Sequence, residues 1–264
     1  LIQVGGLGIM TITSFFALFF MGGSTLQRQF AVRDLIGAET LSSLLSTLLN
    51  ILAFTFAIEA IGAFFIWWSI HGTLSMTLGQ EIFFSIFHAI SAFCNAGFST
   101  LSGNLGNPSL LTAHNGFFWA ISLLIILGGL GYPILINFKT IVFYRVKRWV
   151  LLIFRRPTEK KAHLTQLNTK IVLTSTLILV LVGTAILAIL EWDGAFKGMS
   201  VADKITHSFI NAVSPRTAGF NTIELPQFCT LSILMYLLFM WIGGGSQSTA
   251  GGIKVNTLAV VLAN

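Results

Sequence analysis

Long apolar runs constrain the fold of this chain more than any other feature. Residues 41–70 contain a single charged side chain, Glu59, and a helix of about 20 apolar residues is enough to cross the hydrocarbon core of a bilayer. Only 9% of the chain is charged, whereas a soluble domain carries about 25%, so lipid must cover much of the surface. The sequence therefore predicts an all-α integral membrane protein.

The apolar runs fall into two length classes. Runs that are long enough to begin a membrane span cover residues 1–21, 41–70, 116–144, 171–192 and 228–242. Two further runs, residues 80–93 and 201–212, are too short to cross as helices. The run at 228–242 is also short, since it covers about 22 Å of a core about 30 Å thick. We expect that helix to break inside the membrane at the glycine-rich residues 243–252.

Two markers repeat with nearly the same period. The sequence Ala-Gly-Phe follows each short run, with its glycine at Gly97 and at Gly219, 122 residues apart. The sequence Gly-Gly-Leu-Gly occurs at residues 5–8 and again at 128–131, 123 residues later. The second marker is most simply a site of close helix packing. A repeating unit of span, half-length helix, glycine turn and span is the interpretation that both markers favour.

This repeat divides the chain into four parts. We assign the last span of one unit and a linker to residues 1–40, a complete unit to 41–145, a basic cytoplasmic loop to 146–170 and a third unit to 171–264. The chain opens inside an apolar run without an initiator methionine, and we expect it to be a fragment of a longer protein.

The two glycine turns have the chemistry of a cation filter. Irregular backbone at membrane depth survives only inside protein or along a water-filled path. The carbonyl end of a short helix carries about half a negative charge, which favours a cation, and glycine lets the following carbonyls turn to one side. Packing of a re-entrant loop is the alternative for a single turn. The candidate cation ligands are the main-chain carbonyls of Asn95, Ala96, Gly97, Phe98, Thr217, Ala218, Gly219 and Phe220.

The glycine-rich segment that interrupts the last span is a candidate gate. Five glycines among ten residues, with small polar side chains between them, make a segment able to close on water and open again. A passive kink is the alternative. Lys254 lies just beyond the segment and either repels cations in the closed state or extends toward the interface. The candidate gate residues are Gly243, Gly244, Gly245, Ser246, Gln247, Ser248, Thr249, Ala250, Gly251, Gly252 and Lys254.

Three stretches together resemble a known family. They are N-A-G-F at residues 95–98, S-P-R-T-A-G-F-N-T at 214–222 and I-G-G-G-S-Q-S-T-A-G-G-I-K at 242–254. They are similar to the Trk/Ktr/HKT superfamily of potassium transporters, and most of all to bacterial membrane subunits of the TrkH and KtrB type. The resemblance implies four linked span–pore-loop–span units in a pseudo-fourfold, channel-like arrangement around one pathway. Residues 95–98 would then be the second filter strand and 217–220 the third, with the first and fourth outside this chain.

The resemblance also implies a function and partners. It implies a multi-pass protein of the plasma (inner) membrane that is not an enzyme, with potassium as the transported ion and no organic cofactor. It implies a gating role for residues 243–252, and a homodimer that rests on a cytosolic ring of nucleotide-binding regulatory subunits. Both potassium-only and sodium-permeable transport, and both channel and ion-coupled mechanisms, are compatible with the sequence.

The expected function is passive potassium uptake driven by the membrane potential. One alternative is the potassium-binding subunit of an ATP-driven pump. Another, from a different class, is a membrane-embedded redox or enzyme subunit, which the lack of clustered His, Asp or Cys within the spans disfavours. Nine of the fifteen Lys and Arg residues fall within residues 139–170. That asymmetry is typical of a cytoplasmic loop, so the charge indicates a docking face for a regulator or for anionic lipid rather than nucleic-acid binding.

Several ionisable residues inside or beside the apolar runs need an interpretation. We expect Arg216 to point away from the pathway and to pair with an acid, Glu224 or Asp203. Glu59 is either functional, as acids within spans usually are, or lies near the outer end of its span. His88 and His207 are expected to pack or cap helices rather than to bind a metal or haem.

Overall fold

The computed structural model describes residues 1–6, 41–111, 115–153 and 167–263, and these are helical without any β-strand. Residues 2–6 are helical. The helices that follow are α1 (Leu41–Ile70), α2 (Leu78–Phe93), the short α3 (Pro108–Leu111), α4 (Asn115–Leu130), α5 (Tyr132–Ile153), α6 (Leu167–Glu191), α7 (Val201–Val213), α8 (Thr230–Trp241) and α9 (Val255–Ala263). Most of the predicted span over residues 1–21, and all of residues 7–40, lie outside the described part.

Two of these helices are long and apolar enough to cross a membrane on their own. They are Leu49–Ile70, within α1, and α6. The helices α4 and α5 pass the same test only as a pair, and they are bent by 109° at the break between them. Large apolar side chains such as Phe65, Leu181 and Ile189 are exposed on the long helices, as expected of surfaces that face lipid.

The span predicted over residues 116–144 is not one continuous helix. The chain breaks at Gly131, which has φ +87°, and α5 leaves in a new direction. A left-handed φ suits glycine because it has no Cβ, and Pro133 in the first turn of α5 is compatible with a helix start but not with a helix interior. Residues 146–153 of the predicted basic loop are helical, because α5 continues to Ile153 and Lys and Arg are good helix formers; residues 154–166 of that loop lie outside the described part.

The two short helices are enclosed by the longer ones. Helix α2 packs against α1 and α4, and α7 packs against α6 and α4, so α4 touches both short helices. The interface is filled by fully buried aromatic and aliphatic side chains, including Phe84, Phe93, Phe117, Phe118 and Ile121. In a lipid-covered protein the gain comes from close van der Waals packing between the helices rather than from removing apolar surface from water. The packing therefore fixes where the ends of α2 and α7 point.

Candidate ion pathway

The two short helices carry the same charge pattern along their axes. Each has an acid in its first turn, Glu81 in α2 and Asp203 in α7, and neither has a basic residue in its last turn. An acid at the start offsets the positive end of the helix dipole, while the negative carbonyl end is left without a compensating cation. The predicted glycine turns follow these carbonyl ends directly, so both helix ends favour a cation at the turns.

The backbone of each glycine turn alternates in hand. Positive φ angles occur at Asn95 (51°) and Gly97 (70°), and at Thr217 (72°) and Gly219 (82°). The residues between them have negative φ. A non-glycine residue in this region costs roughly 1–2 kcal/mol, so the surrounding structure must hold both turns in place. The alternation keeps successive carbonyls from projecting to opposite sides, as they would along a regular strand.

A buried serine holds the phenylalanine of each turn. The Ser91 hydroxyl donates to the Phe98 carbonyl (2.8 Å) and accepts from the Phe98 amide (2.9 Å). In the later turn the Ser214 hydroxyl donates to the Phe220 carbonyl. Both serines are buried at the carbonyl end of a short helix. Each turn is thus fastened to its own helix by the same kind of bond.

A second pair of bonds fastens the residues just beyond each turn. The ring nitrogen Nε2 of His88 lies 2.9 Å from the Ser99 hydroxyl, and the Nδ2 amide of Asn211 donates to the Thr222 hydroxyl at 2.6 Å. Both bonds span eleven positions of sequence. His88 is therefore a packing and hydrogen-bonding residue, as the sequence predicted. His207 is buried against the ring of Phe118.

The two turns meet backbone to backbone. A Cβ added at Gly97 would lie 2.4 Å from the Ala218 carbonyl oxygen, and one at Gly219 would lie 3.6 Å from the Gly97 Cα. The side-chain amide of Asn104 donates toward the Gly97 carbonyl (3.1 Å) and lies 3.4 Å from the Gly219 carbonyl. Both turns line one cavity of about 530 Å³. Its lining residues are Asn95, Ala96, Ser214, Pro215, Thr217, Ala218, Gly219, Phe220, Asn221, Leu225, Tyr236 and Met240.

The predicted break in the last span is confirmed. Helix α8 ends at Trp241 and α9 begins at Val255. Two hydrogen bonds hold the start and the end of the intervening loop together. The Gly243 amide donates to the Ile253 carbonyl and the Ile253 amide donates to the Trp241 carbonyl, both at 3.0 Å. We call residues 242–243 and 251–253 the neck, and residues 245–249 the tip.

The tip lies in the break between α4 and α5. The amides of Gly245 and Thr249 donate to the carbonyls of Gly129 (2.8 Å) and Gly128 (3.3 Å), and the Tyr132 amide lies 3.4 Å from the Gln247 carbonyl. The last carbonyls and first amides of helices have no partner within their own helix. The tip supplies those partners, so the loop that interrupts α8 and α9 satisfies the free backbone groups at the break between α4 and α5.

Glycine at the seat of the tip allows this close approach. A Cβ at Gly128 would lie 1.9 Å from the Phe93 carbonyl oxygen, and one at Gly131 would lie 2.5 Å from the Ser246 carbonyl oxygen. The Thr249 hydroxyl donates to the same Phe93 carbonyl at 3.0 Å. The Gly-Gly-Leu-Gly sequence at residues 128–131 is therefore a close-packing site, as expected, but it packs against the loop as well as against a helix.

Arg216 pairs with neither Glu224 nor Asp203, so that expectation is wrong. Its guanidinium is buried and donates to the Gly243 carbonyl at 3.2 Å. Asp203 is instead held by the Ser200 hydroxyl (2.7 Å) and by the Asn115 amide (2.8 Å). These bonds lower the pKa of the Asp203 carboxyl below its usual value. Asp203 lies in the first turn of α7 and Arg216 beyond its last residue, about 15 Å or more away along the helix, so the buried arginine is left to a main-chain carbonyl.

Two other charged residues lie close to the pathway elements. Lys254 donates to the Ala250 carbonyl at 2.6 Å, so its ammonium binds the loop itself. Glu59 is buried in the middle of the bundle, accepts a bond from the Gln3 amide at 2.8 Å, and lies 3.9 Å from the Cys94 thiol just before the first turn. Glu59 lies near the middle of the Leu49–Ile70 span and not at its outer end, and a functional role stays a prediction.

The sequence reasoning missed three contributors to this site. Asn104 belongs to a polar loop and has positive φ (56°). An asparagine in such a loop indicates a turn, but it does not indicate which distant carbonyls the side chain will contact. The serines of the short helices look like ordinary small residues. No group of His, Cys, Asp or Glu side chains that could hold a metal ion occurs within residues 1–6, 41–111, 115–153 and 167–263.

Comparison with known proteins shows which family this chain resembles. The model of the family described as TrkH, cation transport protein, matches residues 1–264. Ktr system potassium uptake protein B of Vibrio alginolyticus is 33% identical over 98% of this chain and 53% of its own length, and that of Bacillus subtilis is 33% identical over 99% and 54%. The chain therefore spans about half the length of the curated relatives it matches.

A further relative and a solved structure agree. Potassium/sodium uptake protein NtpJ of Enterococcus hirae is 32% identical over 99% of this chain and 53% of its own length. The crystal structure of the potassium transporter TrkH from Vibrio parahaemolyticus has a TM-score of 0.67 at 16% identity, covering 99% of this chain and 46% of that one; it supports the fold alone. The expected Trk/Ktr resemblance is confirmed, and the family is one of plasma-membrane cation transporters rather than enzymes. This chain belongs to the TrkH family of cation transport proteins.

Proposed function

We propose that this chain forms part of the conduction pathway of a potassium uptake system. Residues 95–98 and 217–220 are two walls of its filter, and residues 243–252 with Lys254 are its gate. The observation that carries the proposal is the meeting of two glycine turns, 122 residues apart in sequence, around one cavity at the carbonyl ends of two half-length helices. The similar proteins named above are potassium or potassium/sodium uptake proteins, which supports potassium as the ion.

The filter works by replacing water around the ion with main-chain carbonyls. Carbonyl rings of this kind bind a cation without a fixed negative charge, and the two helix ends add favourable dipoles. The serine and amide ties described above hold the carbonyls in place before an ion arrives. A membrane potential of 100 mV contributes about 2.3 kcal/mol to a monovalent cation, which is between one and two decades of accumulation. Transport therefore needs no ATP site in this chain.

The loop between α8 and α9 closes the pathway by seating its tip in the α4–α5 break. The seat consists of main-chain bonds to Gly128, Gly129 and Tyr132. Several such bonds of about 0.5–1.5 kcal/mol each hold the tip firmly enough to block, yet weakly enough to release. Opening displaces the tip from this seat, which lies below the filter.

The complete transporter contains two more walls. Four span–pore-loop–span units, two of which contribute the turns described here, surround the pathway with pseudo-fourfold symmetry. Two copies form a homodimer in lipid, and a cytosolic ring of nucleotide-binding subunits controls the gate. The exposed basic residues of α5, such as Lys139, Arg145 and Lys147, suit that ring or anionic headgroups.

The filter is tested by substituting Gly219 with Ser in the full-length protein. A Cβ there meets only the Gly97 Cα, at 3.6 Å, so the added cost is mainly a left-handed backbone of roughly 1–2 kcal/mol. We expect a folded protein whose rubidium-over-sodium permeability ratio falls about tenfold in proteoliposome flux assays, because the strain moves the filter carbonyls.

A matched control separates strain in general from strain in the filter. Gly198, in the outer loop before α7, has φ +87° and open space around its Cβ position. Gly198→Ser therefore introduces the same backbone strain far from the pathway, and we expect an unchanged permeability ratio. Equal ratios for wild type and Gly219→Ser, in folded protein that still conducts, would contradict the filter assignment.

A further inference from the structure

We infer that Arg216 is a positioning residue that couples the third filter strand to the gate loop. It holds the neck of the loop, so that a movement of the gate displaces the filter carbonyls, and a movement of the filter carbonyls displaces the gate. The inference rests on the proposed function and adds a link between its two parts. The link is one buried hydrogen bond between groups 27 residues apart in sequence.

The neck is a rigid part of the loop because its two sides are bonded to each other. A parallel bridge joins Ile242 to Ile253, and a Cβ at Gly243 would lie 1.7 Å from the Gly251 carbonyl oxygen. The two sides of the neck are therefore in direct contact, and the Val255 amide adds a bond to the Gly244 carbonyl at 3.0 Å. These contacts make the neck a rigid unit, so its two sides are displaced together when the loop moves.

The residue just before the third filter strand and the first residue of that strand hold the two sides of this neck. The Arg216 guanidinium donates to the Gly243 carbonyl on one side (3.2 Å), and the Thr217 hydroxyl accepts from the Gly251 amide on the other (3.2 Å). Thr217 is also a filter residue with positive φ. A displaced neck would therefore pull directly on the first carbonyl of the third strand.

The environment of Arg216 favours this role over a simple structural clamp. The residue is only 7% exposed, no acid among the described residues lies within ion-pair distance, and its Nε has no acceptor there. A guanidinium has five N–H donors, and burying a charge with few partners is costly. The Gly243 carbonyl is thus the main acceptor for the charge, and loss of that contact would be felt strongly.

The tip, in contrast, is held away from the filter strand. Its bonds go to Gly128, Gly129 and Tyr132, and to the Phe93 carbonyl through Thr249. The tip can leave this seat without breaking the neck. Arg216 therefore sets the position from which the tip reaches its seat, and a loosened neck lowers the chance that the tip is seated.

The test compares Arg216→Gln and Arg216→Lys in the full-length protein. Lysine keeps the charge and a donor but lacks the planar fork. We expect basal rubidium flux to rise about tenfold in Arg216→Gln, the equilibrium equivalent of one charge-assisted hydrogen bond, and a smaller rise in Arg216→Lys. We also expect a changed rubidium-over-sodium ratio in Arg216→Gln. Lys197→Gln, in the exposed outer loop, is the control for loss of one positive charge.

A second readout follows the tip directly. Ser248 is fully buried in the tip, so a cysteine there, in a Cys229→Ser background that removes an exposed thiol, reports whether the tip is seated. We expect a water-soluble thiol reagent to label it faster in Arg216→Gln than with Arg216 intact. A purely structural arginine would lower the yield or thermal stability without changing labelling or flux per folded molecule.

The outcomes distinguish the inference from the proposed function. If Gly219→Ser changes selectivity but folded Arg216→Gln has wild-type basal flux, selectivity and labelling, the coupling is refuted and the filter stands. If the wild-type protein carries no potassium or rubidium flux, the proposed function itself fails. Faster labelling and raised flux in Arg216→Gln, partly rescued by Arg216→Lys, support the coupling.

Discussion

Two neighbouring glycines in α4 allow the seat of the loop to be tested with almost no change in chemistry. Gly128→Ala places a methyl group 1.9 Å from the Phe93 carbonyl oxygen and 3.0 Å from the Thr249 hydroxyl. Gly129→Ala places the same methyl group 3.7 Å from the nearest atom, the Asn95 side-chain amide. The first change must move a backbone, whereas the second makes an ordinary van der Waals contact.

The expected cost of Gly128→Ala follows from that distance. Carbon atoms in contact normally sit about 3.5–4.0 Å from their neighbours, so the carboxyl end of α2 must shift by more than an ångström. Overpacking of this kind costs about 1–3 kcal/mol. The two Thr249 bonds that bracket this contact, to Gly128 and Phe93, contribute about 0.5–1.5 kcal/mol each. We expect a total destabilisation of about 2–6 kcal/mol together with raised basal flux, because the tip loses part of its seat.

Gly129→Ala should behave in the opposite way. Alanine is favoured over glycine within a helix by about 0.5–1 kcal/mol, and the carbonyl of residue 129 still accepts from Gly245. Unfolding in detergent, followed by tryptophan fluorescence, and rubidium flux into proteoliposomes measure both properties. Equal stability and equal basal flux in the two variants would refute the argument that residue 128 is the contact point of α2, α4 and the loop.

Two further predictions concern the surroundings of the filter. Asn104→Leu removes the donor shared by the two filter glycines and should lower rubidium-over-sodium discrimination in flux assays, whereas Asn107→Leu, in the same loop but bonded elsewhere, should not. Hydrogen bonds from Ser200 and Asn115 depress the pKa of Asp203, so the stability they contribute is present above about pH 4, the ordinary value, and is lost as the pH falls through the depressed pKa. Thermal unfolding of wild type and Asp203→Asn should therefore differ at pH 7 and converge in acid; a constant difference would contradict this.

The glycine turns could be predicted because their signals are local. A run too short for a span, followed by Ala-Gly-Phe, indicates a half-length helix with a special turn, and the structure has α2 and α7 where residues 80–93 and 201–212 predicted them. The break after α8 is local in the same sense, since five glycines follow a run of insufficient length. Hydrophobic length and glycine content were enough for these elements.

The break between α4 and α5 could not be predicted from hydropathy. Residues 116–144 are apolar throughout the region of the break, so a length argument joins the two helices. Gly131 and Pro133 carry the signal, because one permits a left-handed φ and the other is favoured at a helix start. Either residue alone is tolerated within membrane helices, and only the loop that fills the gap makes the break stable.

The hydrogen-bond partners of Arg216 and Asn104 could not be predicted from the sequence for a different reason. Their acceptors lie on segments that approach only after the helices pack, at Gly243 for Arg216 and at Gly219 for Asn104. Charge complementarity pointed to an acid for Arg216, yet Asp203 is satisfied by neutral donors. A main-chain carbonyl leaves no trace in the sequence, so acceptors of this kind are invisible to composition and spacing.

The mutual satisfaction of the two broken helices has a consequence for the proposed gate. When the tip leaves its seat, the carbonyls of Gly128 and Gly129 and the amide of Tyr132 lose their partners together. Lipid offers no replacement, and an unsatisfied backbone group in hydrocarbon costs several kcal/mol. Only water in the pathway can replace these bonds, so the tip can leave only as water enters. In the proposed gate, opening and hydration are therefore one event, and the exposed seat becomes a hydrated polar lining for the ion below the proposed filter.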